Sequence, residues 1–564
     1  EQDWNKFIDY NIQDVNLLVR LEQKLQYIPL LRMLSYVGLT NLEGAMGTIQ
    51  VINGALCIRA RKRGEIISTF VRNDGEGKNP GAYVAEPKPG FKNHIISFDA
   101  NSLYPNVMIS LNTSPETKVG KVDMVGDKVV INHVSGKQFS LDKPGFVKFL
   151  KKEECSLSKA GFMFTQKRKG IIPEFLEYYY NQRVEIKKKL FTTKQQLKKD
   201  KSNIALKYEV ERLNTSQMVI KILINSCYGY MGNKRAPIGD DDIASSVTLT
   251  GQAVIKQSNK FIKEYIKQQV PSLSEHELEQ NIIYNDTDSS YVSISPIIES
   301  GLIKFWDGDQ VHQETYDEIQ RIEDFLNDKI EKWAKKAILT KDSRFVFKRE
   351  CIADTGIFLQ KKRYVMHILD DEGIKENKFK YTGVEVVRTT MPDAIKPYAK
   401  RIIETMLSTQ SLKETNKVLN DTYDIFKTLT AEQIAFVMGV KGYEKYAVQC
   451  KQFETCKGMP IHVKSAYFYN LMLDMLKTGN KYEKLGSGDK VRYLYIEQPN
   501  KYRLDTIGFK YDFPEEFDSL YKVDYEKMFE KILFQGIERF YNNVGWTIRK
   551  PSNNVQTELF DLFS

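Results

Sequence analysis

The stretch IIYNDTDSSYVSI, residues 282–294, offers two carboxylates, Asp286 and Asp288, two residues apart. β-Branched and aromatic residues flank a polar run, so the pattern predicts a β-hairpin with both carboxylates at its turn. Residues two apart on extended chain share a face, and like charges that close are unfavourable unless a cation sits between them. On these residues alone, a solvated aspartate-rich turn and a metal site are even alternatives. A third carboxylate, Asp99, ends the buried-strand pattern of HIISFDANSLYPNVM, where SLYP turns sharply into an apolar segment. A carboxylate at a strand end followed by turn amides suits a cation and the phosphates it neutralises; the plainer reading is a helix-capping aspartate.

Phosphate chemistry is suggested by two helical patterns. In NTSQMVIKILINSCYGYMGN, Asn214, Thr215 or Ser216 caps a helix that Gly229 and Gly232 end, and Lys221, Asn225 and Tyr228 fall on one stripe at i, i+4 and i+7. A lone lysine in so apolar a helix is costly to bury without an anionic partner. The preceding pattern, PEFLEYYYNQRVEIKKKL, predicts a helix after Pro173 with Arg183 and Lys187 on one face. If the two helices pair, three cations converge on a polyphosphate; otherwise they snorkel from a helical hairpin. Further on, Lys361, Lys362, Arg363 and Tyr364 predict a basic strand with Lys362 and Tyr364 on one face. That suits a phosphate backbone, or equally an edge strand guarded by lysines. Tyr10 and Asp14 share a helix face near the start, and QTELFDLFS near the end has the look of a docking peptide.

Several cores must position these groups. At 564 residues the chain holds about three or four domains of ~150 residues each. Residues 4–35 predict two successive helices, residues 49–71 strands, and a Gly/Pro loop puts a boundary near residues 72–80, with GAYVAEPKPGFKN as a proline-broken connector. Short strands are predicted over 117–165, helices over 245–268 and 317–340, strands around the basic segment, and mostly helix over 393–480. The net charge of +10 permits a polyanion partner without demanding one. Six cysteines without a C-x-x-C pair argue against a zinc site or disulfide framework and fit a reducing compartment. No run of 18 apolar residues and no signal pattern point to a cytosolic protein without a membrane partner. The start at Glu1, without Met and inside an amphipathic pattern, suggests a fragment or one piece of a split protein.

The order FDANSLYP, KILINSCYG, YNDTDS, KKRY resembles the family B DNA polymerases, in wording closest to the replicative enzymes of T-even-type bacteriophages. GAYVAEPKP and SLYPNVMISLNTSPET add to the match, which runs from Tyr10 to the C-terminus, and four motifs in one order are far more specific than any alone. The resemblance implies an α+β, multidomain right-hand fold with an antiparallel-sheet palm (73–169 and 234–388), helical-hairpin fingers (170–233) and a largely helical thumb (389–549). An exonuclease remnant (1–27), part of an N-terminal domain (28–72) and a clamp-binding tail (550–564) complete it. Asp99 and Asp288 would bind two Mg²⁺ ions, with the Ala100 carbonyl and Asp286 close by. The Ser102, Leu103 and Tyr104 amides would lie along the nucleotide triphosphate, and Tyr104 would stack under the sugar and exclude a 2′-hydroxyl. Arg183, Lys187 and Lys221 would hold the phosphates, and Asn225, Tyr228 and Gly229 would line the nascent base pair. Lys361, Lys362, Arg363 and Tyr364 would grip primer-template DNA.

The implied function is template-directed DNA synthesis from dNTPs in the cytoplasm of an infected bacterial host. Gln556, Leu559, Leu562 and Phe563 would hold a sliding clamp. Tyr10 and Asp14 match the last motif of the family's proofreading exonuclease, whose other carboxylates are absent, so proofreading is not expected from this chain alone. A separate N-terminal exonuclease-containing chain is an implied partner. Asn285 stands where the family usually has glycine; a hairpin accepts Asn, so the geometry is expected to survive. Two rivals stay open: a two-metal nuclease or phosphohydrolase, and a non-catalytic, clamp-tethered DNA-binding subunit of a split polymerase.

Overall fold

The computed structural model describes residues 4–67, 80–450, 454 and 457–551. Its centre is a six-stranded sheet of β1 (Phe91–Ala100), β2 (Ile282–Asp286), β3 (Ser289–Ser293), β4 (Phe347–Gln360), β5 (Arg363–Asp371) and β6 (Ile374–Thr382). The order is β6-β5-β4-β1-β3-β2, and every neighbouring pair is antiparallel. Alternation along the strands loads both faces. Ile96, Phe98, Val292, Phe347 and Ile352 face a large core shared with helices, while Ile95, Tyr284, Tyr291, Phe358, Tyr364 and Met366 build an aromatic cluster on the other side. The strands nearest the expected catalytic groups are therefore anchored from above and below.

The N-terminal residues form α1 (Trp4–Leu25), α2 (Tyr27–Gly38) and α3 (Thr48–Lys62). The helix α3 replaces the first part of the strands expected over 49–71; residues 68–71, and most of the loop expected near 72–80, lie outside the described residues. Its β-branched residues favour extended chain locally, yet Val51, Ile52, Ala55, Leu56 and Ala60 are buried at helical spacing. Packing decides the conformation: a Cβ on Gly54 would lie 1.8 Å from the Gly38 carbonyl oxygen, so the backbones of α2 and α3 touch where neither carries a side chain.

Five further helices frame the sheet: α4 (Leu103–Leu111), α5 (Ile171–Lys199), α6 (Ile204–Met231), α7 (Asp241–Gln269) and α8 (Gln313–Ala337). The long pair α5 and α6 pack on each other as an antiparallel hairpin. Here α6 starts well upstream of the expected cap, with the Asn203 side chain accepting from the Leu206 amide, because a polar amphipathic turn precedes the apolar run. Helices α7 and α8 pack together behind the sheet.

Residues 118–165 form a separate five-stranded antiparallel sheet, as the short-strand pattern predicts. The C-terminal third has its own core, built from helices Lys396–Thr409, Leu412–Phe426, Ile461–Leu476 and Gln535–Asn543 around a three-stranded sheet. The α+β, multidomain reading holds. Among the described residues no helix is long and apolar enough to cross a membrane. Among the described residues Cys450 departs from the unpaired expectation, being disulfide-bonded, whereas Cys57, Cys155, Cys227 and Cys351 are free thiols.

Candidate active site

Strand β1 runs between β3 and β4, which places Asp99 opposite Ser289 on one side and Lys348 on the other. The Ala100 amide donates to the Asp288 carbonyl at 2.9 Å, and Ser289 Oγ donates to Asp99 Oδ1 at 3.1 Å. The strand end and the hairpin turn are thus stitched together, and their carboxylates share one end of the sheet.

The turn itself is tight. Thr287 has φ +64°, and the Asp288 amide donates to the Asp286 carbonyl at 2.7 Å, a γ-type closure that strains a β-branched residue. Its surroundings over-determine it. The Thr287 amide donates to the Tyr83 carbonyl at 3.0 Å, and Lys362 Nζ donates to Asp286 Oδ1 at 2.7 Å. Ala85 donates to the Asn285 carbonyl and Lys88 to that of Ile283, at 3.1 and 3.0 Å. The segment expected as a connector is therefore an extra edge along β2, and prolines suit an edge because they need offer no ladder donor. Asn285 keeps its ladder position opposite Ser290, so the hairpin survives with asparagine there.

Burial first, then the neighbouring charges of Asp288 and Glu350, push Asp99 up to about 7. Asp288 is also raised, by burial and then by Asp286 and Glu350 against its own turn amide and Lys362. Carboxylates that resist ionising because other carboxylates face them are the donor set a divalent cation relieves. Among the described residues no group of three or more His, Cys, Asp or Glu side chains is laid out to hold a metal ion. An open pair fits a hard cation that keeps water and takes phosphate oxygens, as Mg²⁺ does. Glu350, whose Oε2 accepts from Ser97 Oγ at 2.9 Å, and Glu372, which also raises Asp99, were missed from the sequence. No local signal marks either, since β4 also carries Lys348, Arg349 and Asp354, and Glu372 lies in the turn between β5 and β6.

The turn after β1 leads into α4. Ser102 has φ +45°, Leu103 is buried, and the Tyr104 ring lies 4.7 Å from that of Tyr228 on α6. Burial, then Tyr228, pushes the Tyr104 phenol up to about 12, so it stays neutral. The stripe predicted on α6 is present: Lys221, Asn225 and Gly229 are exposed and Tyr228 half-buried, while Val219, Ile220, Leu223, Ile224 and Cys227 are buried. On α5, Lys187 is exposed and Arg183 half-buried, its Nε without a hydrogen-bond partner and its guanidinium lowered by burial. Among the described residues none of Arg183, Lys187 and Lys221 is in an ion pair with a carboxylate. Free cations and an orphaned guanidinium N–H are groups a polyphosphate would satisfy.

The basic segment needs correction. Lys361 and Lys362 occupy the turn between β4 and β5, not a strand face. Lys361 pairs with Glu86 at 2.9 Å and Arg363 with Glu385 at 3.3 Å. Tyr364, expected beside Lys362, is only 5% exposed, its hydroxyl 3.0 Å from that of Tyr291. A tight two-residue turn between paired strands breaks the alternation on which the expectation rested. Tyr10 and Asp14 both lie exposed on α1, and Gln556, Leu559, Leu562 and Phe563 fall outside the described residues.

An antiparallel sheet that carries acids at a strand end and at the adjoining hairpin, faced by a cation-bearing helical hairpin, is the architecture of a nucleic-acid polymerase. Within that class the chain belongs to DNA polymerase family B, whose family model matches residues 45–544. It is 25% identical to the DNA-directed DNA polymerase of Escherichia phage RB69 over 100% of this chain and 65% of that protein. It is likewise 25% identical to the DNA-directed DNA polymerase of Enterobacteria phage T4, over 94% of this chain and 62% of that protein. DNA polymerase 1 of Pyrococcus abyssi matches at 25% over 60% of the chain. The chain therefore spans less than two thirds of the length of the phage relatives.

Proposed function

We propose that this chain performs template-directed DNA synthesis, adding deoxynucleotides to a primer 3′-hydroxyl. The observation that carries the reading is the juxtaposition of Asp99 and Asp288 through the Ala100 amide, beside the Tyr104–Tyr228 contact. Asp99 and Asp288, with the Ala100 carbonyl, would hold two Mg²⁺ ions, which when bound polarise the primer hydroxyl and neutralise the leaving pyrophosphate. Asp286 is committed to Lys362 and supports the turn. The Ser102, Leu103 and Tyr104 amides lie along the triphosphate, and the Tyr104 ring, backed by Tyr228, closes the space that a 2′-hydroxyl would need. Lys221, Lys187 and Arg183 bind the phosphates, while Asn225, Tyr228 and Gly229 line the base pair on the exposed stripe. Positioning and charge do the work, because phosphoryl transfer asks little covalent help of a protein.

In this reading residues 73–169 and 234–388 are the palm, 170–233 the fingers and 389–549 the thumb, with 1–27 and 28–72 belonging to an exonuclease remnant and an N-terminal domain. Lys361, Lys362 and Arg363 face primer-template DNA, with Tyr364 supporting them from the core. The tail, 550–564, docks on a sliding clamp, and the phage relatives favour action in an infected bacterial cytoplasm. Primer extension by the purified chain tests the reading. A nuclease would degrade DNA without dNTPs, and a non-catalytic subunit would bind DNA without extending it.

A further inference from the structure

Helix α7 bears a polar stripe, Gln252, Lys256 and Asn259, at i, i+4 and i+7. All three reach the hairpin or the segment along its edge. Gln252 Nε2 donates to the Gly81 carbonyl at 2.8 Å, and the Lys256 ammonium sits 4.9 Å over the ring of Tyr83, whose carbonyl accepts from Thr287. Asn259 goes to the neck of the hairpin. Its Nδ2 donates to Asn285 Oδ1 at 2.8 Å, and Asn285 Nδ2 donates back to Asn259 Oδ1 at 3.2 Å and to Ser290 Oγ at 2.8 Å. Ser290 Oγ in turn donates to Asn259 Oδ1 at 3.1 Å, closing a triangle. Asn285 is 1% exposed and one ladder step below the Asp286–Ser289 pair.

The two amides depend on each other: without Asn259 the buried Asn285 Oδ1 loses its donor, and without Asn285 the Asn259 Nδ2 loses its acceptor. The same helix passes under Tyr104, where a Cβ on Gly251 would lie 3.2 Å from the ring's Cε1. One rigid element therefore backs both the nucleotide-side turn and the hairpin.

We propose that Asn259 is a positioning residue for the cation-binding carboxylates: through Asn285 and Ser290 it fixes the hairpin neck, and so sets how tightly Asp99 and Asp288 hold a divalent cation. This rests on reading those aspartates as the cation ligands. The strain at Thr287 gives the contact its purpose, since a turn held in an unfavourable conformation relaxes when its neck loosens.

The test is Mg²⁺ titration calorimetry on the substrate-free chain, with hydrogen exchange of the Ala100, Thr287 and Asp288 amides in metal-free protein. Asn259→Ala and Asn285→Ala should each weaken Mg²⁺ binding about tenfold, the scale on which outer partners tune ligands. Both should speed exchange at those amides, with global unfolding temperature and DNA binding little changed. The double variant should be no weaker than either single one, because the pair acts as a unit. Should Asn259→Ala fail to fold, Asn259→Ser, which keeps one hydroxyl, is expected to fall between wild type and Asn285→Ala. Unchanged Mg²⁺ affinity in the folded variants, or losses that multiply in the double variant, would overturn the proposal. An Asp288→Ala control separates the two levels: if it binds Mg²⁺ like wild type, the ligand assignment fails and the positioning role falls with it, whereas weakened binding in Asp288→Ala beside wild-type affinity in the Asn259 and Asn285 variants overturns the positioning role alone.

Discussion

The amide of Ala100 donates to the carbonyl of Asp288 at 2.9 Å, although nearly two hundred residues separate them in sequence. That bond ties the end of β1 to the turn of the β2–β3 hairpin. The partial burial of both carboxylates, with the charge of Glu350 beside each, makes the spot unfavourable for anions unless a cation joins them. What the rest of the chain contributes can be tested at three places.

Lys221 stands on the exposed stripe of α6, free of carboxylate partners among the described residues. Lys221→Ala should raise the dNTP concentration for half-maximal extension by about tenfold, the scale of one charge-assisted contact, with DNA affinity little changed. Steady-state extension at varied dNTP measures it. An unchanged dNTP dependence would remove Lys221 from the phosphate site.

Tyr104 is wedged between Tyr228 and Gly251. Tyr104→Ala empties the space beneath the expected sugar, so discrimination against ribonucleotides should fall by about a hundredfold. The ratio of dNTP to rNTP incorporation efficiency gives the answer. A variant that excludes ribonucleotides as well as wild type would place the sugar elsewhere.

His367 has an oxygen on each ring nitrogen, Asp354 Oδ1 at 2.9 Å and Asn377 Oδ1 at 2.6 Å, and stacks on Phe379. The Asp354 hydrogen bond raises its pKa above the ordinary 6.5, against partial desolvation. A raised folded pKa means that the imidazolium's stabilisation is fully present below the unfolded value of about 6.5 and is lost as pH climbs through the folded one. Asp354→Asn should therefore lower the unfolding temperature more at pH 6 than at pH 9. Equal losses at both would show that the pair contributes no charge.

The motifs were legible because their signals are local. The hairpin of residues 282–294, the strand ending at Asp99 and the apolar-backed stripe of Lys221, Asn225 and Tyr228 all follow from alternation or helical spacing. What stayed hidden depends on distant packing. Helix α3 looks extended because of Val51 and Ile52, and only its packing against α2, α5 and α6, with the close Gly38–Gly54 approach, makes it a helix worth burying. Residues 80–88 read as a connector because pairing to an edge leaves no periodic mark. Lys362 read as a strand residue because a tight turn between two strands is invisible until the register is known. Glu350 and Asn259 reach the site from elements whose own patterns say only strand and helix.

The central claim is that Asp288, with Asp99, makes the cation site of a DNA polymerase, and it is tested most directly by Asp288→Ala in a primer-extension assay with Mg²⁺ and dNTPs. Extension should fall by about a thousandfold or more while primer-template affinity stays near wild type. Extension at the wild-type rate by the folded variant would contradict the account.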